Sequence, residues 1–378
     1  MVRVTIVSKQ NLSRAEPYFN PHVEALPKYN AGLSLAAARA VSGLESIARL
    51  ASNENPYGCS PAVHDALANG AVELWRYSDP SCELLRAKLG KRLGVQPENI
   101  VVGNGSEEMI AAASRAFLVA GGTALTVAPC FGLHEIEPLA VGAGVTKIPM
   151  TAQFDFDLAG LEAALAHAPN ILFLPSPWNP VGAALNHGAL ARVIDAAPAT
   201  TMFVLDEAYR EFVSDAIPDG LEMLRRASRP YVVLRTFSKA FGLAGLRVGY
   251  AVCSDARIAK MLSAAKTPFN VNAVAQAAAV AALGDETWMR DTVASITAER
   301  DRVAKALRDL GLRVARSEGN FLFFDAARDS VQVATALLKA GVVVKPWLEP
   351  NYQTFIRVST GTAAENDQFL DALTPIVR

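Results

Sequence analysis

The sequence is poor in residues that would bind metals or form disulfide bonds. Its 378 residues include four cysteines and five histidines, and both sets are scattered without the paired spacing of a zinc site or a disulfide framework. Few and unpaired cysteines are typical of proteins in a reducing compartment. We therefore predict a cytoplasmic protein with no metal site and no disulfide framework among Cys59, Cys82, Cys130 and Cys253.

Long hydrophobic runs and an excess of one charge are also absent. No stretch approaches the roughly 20 apolar residues that cross a bilayer, and Met1–Ile6 lacks the apolar segment of a signal peptide. A formal net charge of -1 gives no general attraction to nucleic acid or to an anionic membrane. We expect neither partner, and any functional basic groups must be local.

Apolar residues are plentiful, at 51% of the chain. A chain of this length exceeds the size at which a single core keeps growing, so we predict more than one domain. The large domain is expected over residues 51–275 and a smaller one over 276–378. Residues 1–50 are expected to form an irregular N-terminal arm, a short helix and part of the smaller domain.

Between residues 51 and 275, apolar strand-like runs alternate with amphipathic helix-like segments. Strands that are apolar on both faces and separated by helices indicate an α/β domain, with a mostly parallel sheet between two layers of helices. The predicted strands are Ile100–Val102, Ala124–Ala128, Ile171–Leu174, Met202–Leu205, Tyr231–Leu234 and Val248–Val252.

After about residue 285 the pattern changes. A long charged helix is predicted over Thr287–Leu310, after an alanine-rich helix over Ala273–Leu283. Together with the strands that follow and one more helix, it indicates a smaller α+β domain. These later strands are predicted at Leu312–Ala315, Phe321–Phe324, Val342–Val344 and Phe355–Val358.

One lysine follows the predicted strand Tyr231–Leu234. Lys239 lies among hydroxyl groups and glycines, and Arg247 comes eight positions later. A desolvated lysine beside another cation can lose its proton near neutral pH and attack a carbonyl, while hydroxyl groups and an arginine can bind phosphate. The combination predicts a Schiff-base site for pyridoxal 5′-phosphate (PLP). The alternative is a surface lysine in a glycine-rich loop.

Three more polar clusters follow predicted strands at their carboxyl ends, where open α/β sheets bind ligands. Gly103–Glu108 joins glycines to a helix start, which offers free N–H groups to phosphate. Asn179 lies in a proline-rich loop and offers both a donor and an acceptor. Asp206, at a buried strand end, needs a cationic or N–H partner, such as a protonated pyridine nitrogen. A plain turn or a structural role is the alternative for each cluster taken alone.

In this order, the clusters resemble fold-type I PLP enzymes, and among them the histidinol-phosphate aminotransferase-like branch of the class I/II aminotransferases. The resemblance extends from about residue 27 to the end. It implies a homodimeric enzyme of histidine biosynthesis that moves an amino group from an amino acid or amino-phosphate to a 2-oxo acid such as 2-oxoglutarate. The matching segments are Leu50–Gly58, Asn104–Glu108, Asp206–Tyr209, Thr236–Arg247 and Phe355–Thr362.

The resemblance also implies roles around PLP. Lys239 would carry the cofactor and shuttle a proton, and Asp206 would pair with the pyridine nitrogen. Tyr209 and Asn179 would bond the ring oxygen. The phosphate would be held by Ser238, Arg247, Thr236 and the backbone at Gly105, Ser106 and Glu107.

Two aromatic residues and a set of polar ones complete these expectations. Phe131 would stack on the cofactor ring, and Tyr77 would reach the phosphate of the neighbouring subunit, which is why a homodimer is expected. The substrate-side residues would be Arg357, Lys345, Asn320 and Tyr29.

Three positions depart from the pattern of that branch. Trp178 and Val181 stand where asparagine and threonine are usual, and we expect Trp178 to narrow the substrate side. Lys345 stands where the branch has an arginine for the substrate phosphate, and lysine lacks the bidentate fork. An unphosphorylated donor, such as an aromatic amino acid, is therefore an alternative.

Three rival functions accompany these expectations. A PLP lyase of the threonine-phosphate decarboxylase type shares the scaffold. An NAD-dependent dehydrogenase could use Gly103–Ser106, but its chemistry leaves Lys239, Asp206 and Arg247 unexplained. A PLP-sensing regulator would need a DNA-binding module, for which the N-terminal arm is too short.

Overall fold

The computed structural model describes residues 19–30, 32–69 and 72–378. Residues 1–18 of the predicted arm, including Asn11 and Pro17, lie outside the described residues. The described helices are α1 (Pro21–Glu24), α2 (Leu35–Ser42), α3 (Pro61–Ala68), α4 (Glu83–Leu93), α5 (Gly105–Phe117), α6 (Leu133–Ala140), α7 (Leu158–Leu165), α8 (His187–Ala196), α9 (Gly220–Arg226), α10 (Ala256–Ala265), α11 (Ala273–Ala282), α12 (Glu286–Asp309), α13 (Ser330–Lys339) and α14 (Ala363–Val377).

The described strands form three sheets. In chain order they are β1 (Ala48–Arg49), β2 (Ile100–Gly103), β3 (Thr123–Ala128), β4 (Gly144–Pro149), β5 (Ile171–Pro175), β6 (Met202–Asp206), β7 (Tyr231–Thr236), β8 (Gly249–Cys253), β9 (Arg313–Val314), β10 (Phe321–Asp325), β11 (Val342–Val343), β12 (Lys345–Pro346) and β13 (Phe355–Ser359).

A seven-stranded sheet with the order β2-β8-β7-β6-β5-β3-β4 lies at the centre of the larger part of the protein. It contains all six strands predicted between residues 100 and 252. The edge strand β4 is absent from the prediction because its residues are exposed or half-buried and form no continuous apolar run. β8 runs antiparallel to both β2 and β7, so the sheet is mostly but not wholly parallel.

Helices cover both faces of this sheet. In β5, Ile171 and Phe173 belong to one buried cluster, whereas Leu172 and Leu174 belong to another. Successive side chains of a strand point to opposite faces, so this division is what a sheet between two helical layers requires. Burying each such side chain stabilises the fold by about 1.5–3 kcal/mol. The predicted α/β class is confirmed.

The C-terminal part has its own antiparallel sheet, with the order β12-β13-β10-β9. The long helix α12 is capped at its start by Asp285, whose side chain accepts from the N–H of Trp288. The last helix, α14, begins at a capping box formed by Thr362 and Glu365, a motif that satisfies free N–H groups at a helix start. The helix predicted over Thr287–Leu310 is therefore found within one residue at each end.

The segment before residue 50 joins the C-terminal part. β1 pairs in parallel with β11, so that Ala48 lies opposite Val342. The predicted domain boundaries at residues 50 and 275 stay predictions. In the portions of the chain that the structure describes, every helix is too short or too polar to cross a bilayer.

Candidate active site

A cleft of about 860 Å³ opens where β2, β5, β6 and β7 end, and residues of the C-terminal part form its other wall. β2, β6 and β7 run in the same direction because β8 reverses between β2 and β7. Their carboxyl ends therefore meet at one edge of the sheet, which brings together the clusters that the sequence places far apart.

Lys239 lies at the centre of the cleft. Its Nζ donates a hydrogen bond to the carbonyl oxygen of Ser52 at 3.0 Å, and its side chain is half-buried. Burial, and then the nearby positive charges of Arg357 and Arg247, lower the pKa of Lys239 to about 7. A large fraction of this amine is therefore neutral and nucleophilic near pH 7.

Asp206 ends β6 and points into the same cleft. Its Oδ2 lies 3.1 Å from Nε2 of His134, and its Oδ1 accepts from the N–H of Ala208 at 3.0 Å. His134 is fully buried and stacks on Phe173 at 5.4 Å between ring centroids. No local motif in the sequence marks His134, which lies at the start of α6 and comes to Asp206 only through the fold.

Tyr209 lies below Asp206 and is fixed by a second network. Its hydroxyl oxygen accepts from the side-chain amide of Asn53 at 2.9 Å, and burial raises its pKa to about 12. Asn53 adopts a left-handed backbone with φ of 53° and is bonded twice to Ser359. The network holds the neutral phenol as a hydrogen-bond donor toward the cleft.

One end of the cleft has the features of a phosphate site. The start of α5 brings the N–H groups of Ser106 and Glu107 to the cleft, and Gly105 has a φ of +78°. A side chain at this φ would be strained, and a Cβ on Gly105 would lie 2.8 Å from Nη2 of Arg247 and displace that guanidinium. The hydroxyl of Ser238 is buried and has no hydrogen-bond partner.

Arg247 and Glu107 form an ion pair at this end, with 2.9 Å between Nη2 and Oε2. Thr236 turns its hydroxyl to the backbone, where it accepts from the N–H of Ser238 at 3.1 Å. The buried unpartnered hydroxyl, the glycine cradle and the free helix start together fit a phosphate group.

Two cations lie side by side at the other end. Lys345 on β12 is paired across the sheet with Arg357 on β13, and both line the cleft. Burial, and then Arg357, lower the pKa of Lys345 to about 8. Arg357 donates to the side-chain oxygen of Asn179 at 2.7 Å and also to the carbonyl of Ala51. Like charges at facing positions destabilise a sheet, so an anion between them would relieve the repulsion.

Tyr29 and Asn320, the other two predicted substrate-side residues, differ in their position relative to the cleft. Tyr29 lines the cleft and packs edge-on against Phe131 at 6.3 Å. Lys345 also donates to the carbonyl of Asn30, so it links the segment that contains Tyr29 to the four-stranded sheet of the C-terminal part. Asn320 is fully buried outside the cleft lining, and its amide donates to the carbonyl of Asn53 at 3.0 Å. The same amide also lies 3.4 Å from the carbonyl of Glu54, so Asn320 supports the backbone of two residues that line the cleft.

The expectation that Trp178 narrows the substrate side is wrong. Trp178 is fully buried beneath the cleft, packs against Phe156 and donates its indole N–H to the carbonyl of Pro129 at 2.7 Å. Val181 is also fully buried in the core. Both departures act on the packing of the cleft floor, whereas Asn179 between them stays at the surface of the cleft.

Tyr77 lies away from the cleft of its own chain. Its side chain is 85% exposed and stacks on Phe269 at 4.6 Å between ring centroids. Leu74 and Trp75 beside it are similarly exposed.

The four cysteines are free thiols. Within the described residues, Cys130, Glu135 and Glu349 bring ligand atoms within 4.8 Å of one another, the geometry of a possible cation site. The ammonium of Lys147 contacts both carboxylates, at 3.0 Å and 2.8 Å. This grouping therefore already contains a cation from the protein itself.

Residues 45–373 match the aminotransferase class I and II family. Histidinol-phosphate aminotransferase 3 of Rhizobium meliloti (strain 1021) is 42% identical over 352 residues, which are 93% of this chain and 95% of that protein. Histidinol-phosphate aminotransferase 1 of Mesorhizobium japonicum is 39% identical over 367 residues, 97% of this chain and 100% of that protein. The similarity thus covers all three sheets and the residues that line the cleft.

Solved structures are similar over the same extent. A crystal structure of histidinol-phosphate aminotransferase from Sinorhizobium meliloti in complex with pyridoxal-5′-phosphate has a TM-score of 0.87 at 30% identity, covering 97% of this chain and 99% of that one. The tetra mutant 1 of aspartate aminotransferase from Thermus thermophilus has a TM-score of 0.79 at 21% identity, covering 96% and 100%. The second likeness shows the fold alone, which agrees with the fold predicted from the sequence.

Proposed function

This chain belongs to the class I and II aminotransferase family, and from that premise we propose that it moves an amino group from histidinol phosphate, or a similar amino-phosphate, to a 2-oxo acid such as 2-oxoglutarate. It is a PLP-dependent transaminase. The relatives at 39–42% identity support the proposed donor, and that reaction belongs to histidine biosynthesis. Family membership sets aside the dehydrogenase, whose chemistry gave no role to Lys239 or Asp206.

The residues of the cleft fit PLP along its whole length. We assign the phosphate to Ser238, Arg247 and the start of α5, because an unpartnered hydroxyl and a glycine cradle lie there. We assign the ring oxygen to Tyr209 and Asn179, and the pyridine nitrogen to Asp206. Bound PLP supplies an aromatic ring that accepts the electrons released when a substrate proton is removed.

Each of these residues then has a chemical task. Nζ of Lys239, with its lowered pKa, would hold the cofactor covalently, with the carbonyl oxygen leaving as water, and would take up and return the substrate proton. The carboxylate of Asp206, oriented by His134, keeps the pyridine nitrogen protonated. Tyr209, held neutral by burial, donates to the ring oxygen. The observation that carries the proposal is the convergence of these three groups in one cleft.

We assign the acidic groups of the substrates to the paired cations Arg357 and Lys345. Arg357 offers two N–H donors in a fixed fork that suits a carboxylate or phosphate. Lys345 offers a compact charge without that fork, and part of its hydrogen bonding goes to Asn30. The pair supports an anionic donor, whereas an unphosphorylated aromatic amino acid and a threonine-phosphate decarboxylase-like reaction are the alternatives that a donor panel separates.

Lys345→Arg is expected to raise kcat/KM for histidinol phosphate by about fivefold, because a bidentate charge-assisted hydrogen bond adds about 1 kcal/mol. The measurement is a donor panel on purified holoenzyme, with histidinol phosphate, aromatic amino acids and phosphothreonine, read by loss of the visible cofactor band. Activity with phenylalanine should change less than twofold and serves as the control. An unchanged ratio between the two donors would remove Lys345 from the phosphate site. Release of carbon dioxide without any need for a 2-oxo acid would favour the lyase.

We also propose a homodimer in which Tyr77 reaches the cofactor phosphate of the partner. Exposed apolar side chains that lie together commonly mark protein interfaces. Tyr77 stacks on Phe269, and Leu74 and Trp75, close to Tyr77 in the chain, are also exposed. The cytoplasm is the proposed location.

Tyr77→Phe is expected to weaken PLP binding by about fivefold through loss of one hydrogen bond to the phosphate. The dimer should persist, because the aromatic ring remains. Sedimentation velocity gives the oligomeric state, and titration of the apoenzyme with PLP gives the dissociation constant. A wild-type monomer that is fully active at the sedimentation concentration would contradict the proposal.

A further inference from the structure

The segment over residues 128–132, which is the last residue of β3 and the loop to α6, carries Phe131 into the cleft. Two of its carbonyl groups are bound by buried side chains from distant parts of the chain. The hydroxyl of Tyr352 donates to Ala128 at 3.0 Å. The indole of Trp178 donates to the next carbonyl at 2.7 Å. These bonds fix the beginning of the loop, and its end is held by the start of α6, where the N–H of His134 donates to the carbonyl of Phe131 at 2.9 Å.

Glu349 binds the residue that precedes Phe131. Its Oε2 accepts from the N–H of Cys130 at 3.1 Å and lies 3.3 Å from the indole nitrogen of Trp347. Its Oε1 accepts from Nζ of Lys147 at 2.8 Å. Glu349 belongs to the loop between β12 and β13, so it joins the small sheet to the loop that carries Phe131.

Lys147 fixes the position of the Glu349 carboxylate. It lies on the edge strand β4 and bridges Glu349 to Glu135 on α6. The side chains of all three are at least 70% buried: their exposed fractions are 25% for Lys147, 27% for Glu135 and 16% for Glu349. Burial alone would lower the pKa of Lys147, but hydrogen bonds to both glutamates raise it above its usual value. Partly buried pairs are weakly screened, so this contact persists in salt.

We propose that Glu349 is a positioning residue for the cofactor: with Lys147 and Glu135 it holds the Phe131 loop from the small domain, so that the Phe131 ring stays against the face of the bound PLP. This inference rests on the proposed PLP site, because the role of Phe131 is defined by it. Tyr352, from the same segment between β12 and β13, binds farther from Phe131, at Ala128, whereas Glu349 binds the residue next to Phe131.

The packing of Phe131 explains why such a hold is needed. Its ring is half-buried and touches Tyr29 and His134 only edge-on, at 6.3 Å and 5.6 Å between centroids. The ring also packs against the buried cluster that includes Leu133, and it lines the cleft, where it can stack on a cofactor. A half-buried ring is nevertheless held less firmly than a fully buried one. Loss of Glu349 would free the N–H of Cys130, while the bonds from Trp178 and Tyr352 would still hold the loop in the folded protein.

Glu349→Ala is expected to speed hydrogen exchange in residues 130–134 of the holoenzyme by about fivefold or more, and to raise the dissociation constant for PLP by a similar factor. Mass spectrometry gives the first quantity, and titration of the apoenzyme with PLP gives the second. Lys147→Met should also speed hydrogen exchange and raise the dissociation constant. It removes the ion pairs to Glu349 and Glu135, while Glu349 can still accept from the N–H of Cys130. Glu162→Ala is the matched control. It also removes a glutamate from an ion pair, here between Glu162 on α7 and Arg192 on α8, on the surface.

The inference is overturned if either quantity in Glu349→Ala stays within twofold of the wild type, or if Glu162→Ala changes both to the same degree. Should Glu349→Ala fail to fold, Lys147→Met decides by the same two measurements. Failure of the proposed function would look different. In that case the wild-type chain itself would not bind PLP, whereas failure of this inference alone leaves wild-type binding intact.

Discussion

Lys239→Ala is expected to lower kcat for transamination by at least about 10⁴-fold, since general acid–base catalysis alone contributes about 10²–10⁴ and the covalent link is lost as well. The visible absorbance band of the lysine-linked cofactor should disappear, while PLP still binds through its phosphate. The single-turnover reaction of holoenzyme with histidinol phosphate, read by absorbance, measures both effects. Lys305→Ala, which removes an exposed lysine paired with Asp309, is the matched control.

The pH dependence of cofactor capture tests the same assignment. With a pKa lowered to about 7, Lys239 is mostly protonated below that pH and mostly neutral above it. Only the neutral amine attacks a carbonyl. The rate at which apoenzyme gains the visible band from added PLP should therefore rise as the pH rises through about 7 and level off above it. A rise centred near pH 10, the usual pKa range of lysine, would contradict the lowered pKa. In the mutagenesis experiment, turnover of Lys239→Ala at the wild-type rate would remove Lys239 from the mechanism.

Asp206→Ala is expected to reduce kcat by about 10²–10³-fold, the usual cost of removing one preorganised electrostatic partner. The negative charge of Asp206 lies in a mostly buried site beside His134, where a charge interacts more strongly than in water. Without it the pyridine nitrogen loses the group that keeps it protonated. Steady-state kinetics with histidinol phosphate and 2-oxoglutarate give kcat, and PLP titration gives the accompanying loss of affinity.

Asp206→Asn separates charge from packing. It keeps the shape of the side chain and an oxygen that accepts from the N–H of Ala208, but it carries no charge. If the charge is the cause, Asn at this position should lose nearly as much activity as Ala. Near-normal kcat in Asp206→Asn would show that Asp206 only fills space and bonds to His134. Thermal melting of each variant checks that the fold is intact.

Much of the fold could be predicted because the residue pattern of each short segment indicates its secondary structure. The six predicted strands of the large sheet are apolar on both faces, which happens only when helices cover both sides. β4 escaped prediction because an edge strand has a half-exposed pattern and includes Lys147. The sequence also did not predict that β8 runs antiparallel to its neighbours. About a dozen residues separate it from β7, which is close to the shortest connection that allows a parallel crossover.

The polar clusters of the site could also be found, since each follows a strand and the carboxyl ends of strands meet at one edge. The residues that hold these clusters in place could not be found from the sequence. His134 is separated from Asp206 by 72 positions, and Asn53 from Tyr209 by 156. Trp178 shows the same limit, because its residue type gives no sign of whether it faces the cleft or the core. Its burial depends on Phe156 and on the carbonyl of Pro129, which other parts of the chain bring to it.

The amino-acid sequence by itself determined which chemical groups are available and that they follow strands of an α/β sheet, because residue type and local periodicity are properties of short segments. Only the tertiary structure decided which of these groups touch. It paired Lys345 with Arg357, lowered the pKa of Lys239 by burial beside two arginines, and brought Glu349 to the loop of Phe131. The reason is that contacts, burial and electric fields depend on distances in space, which packing sets among residues far apart in the chain.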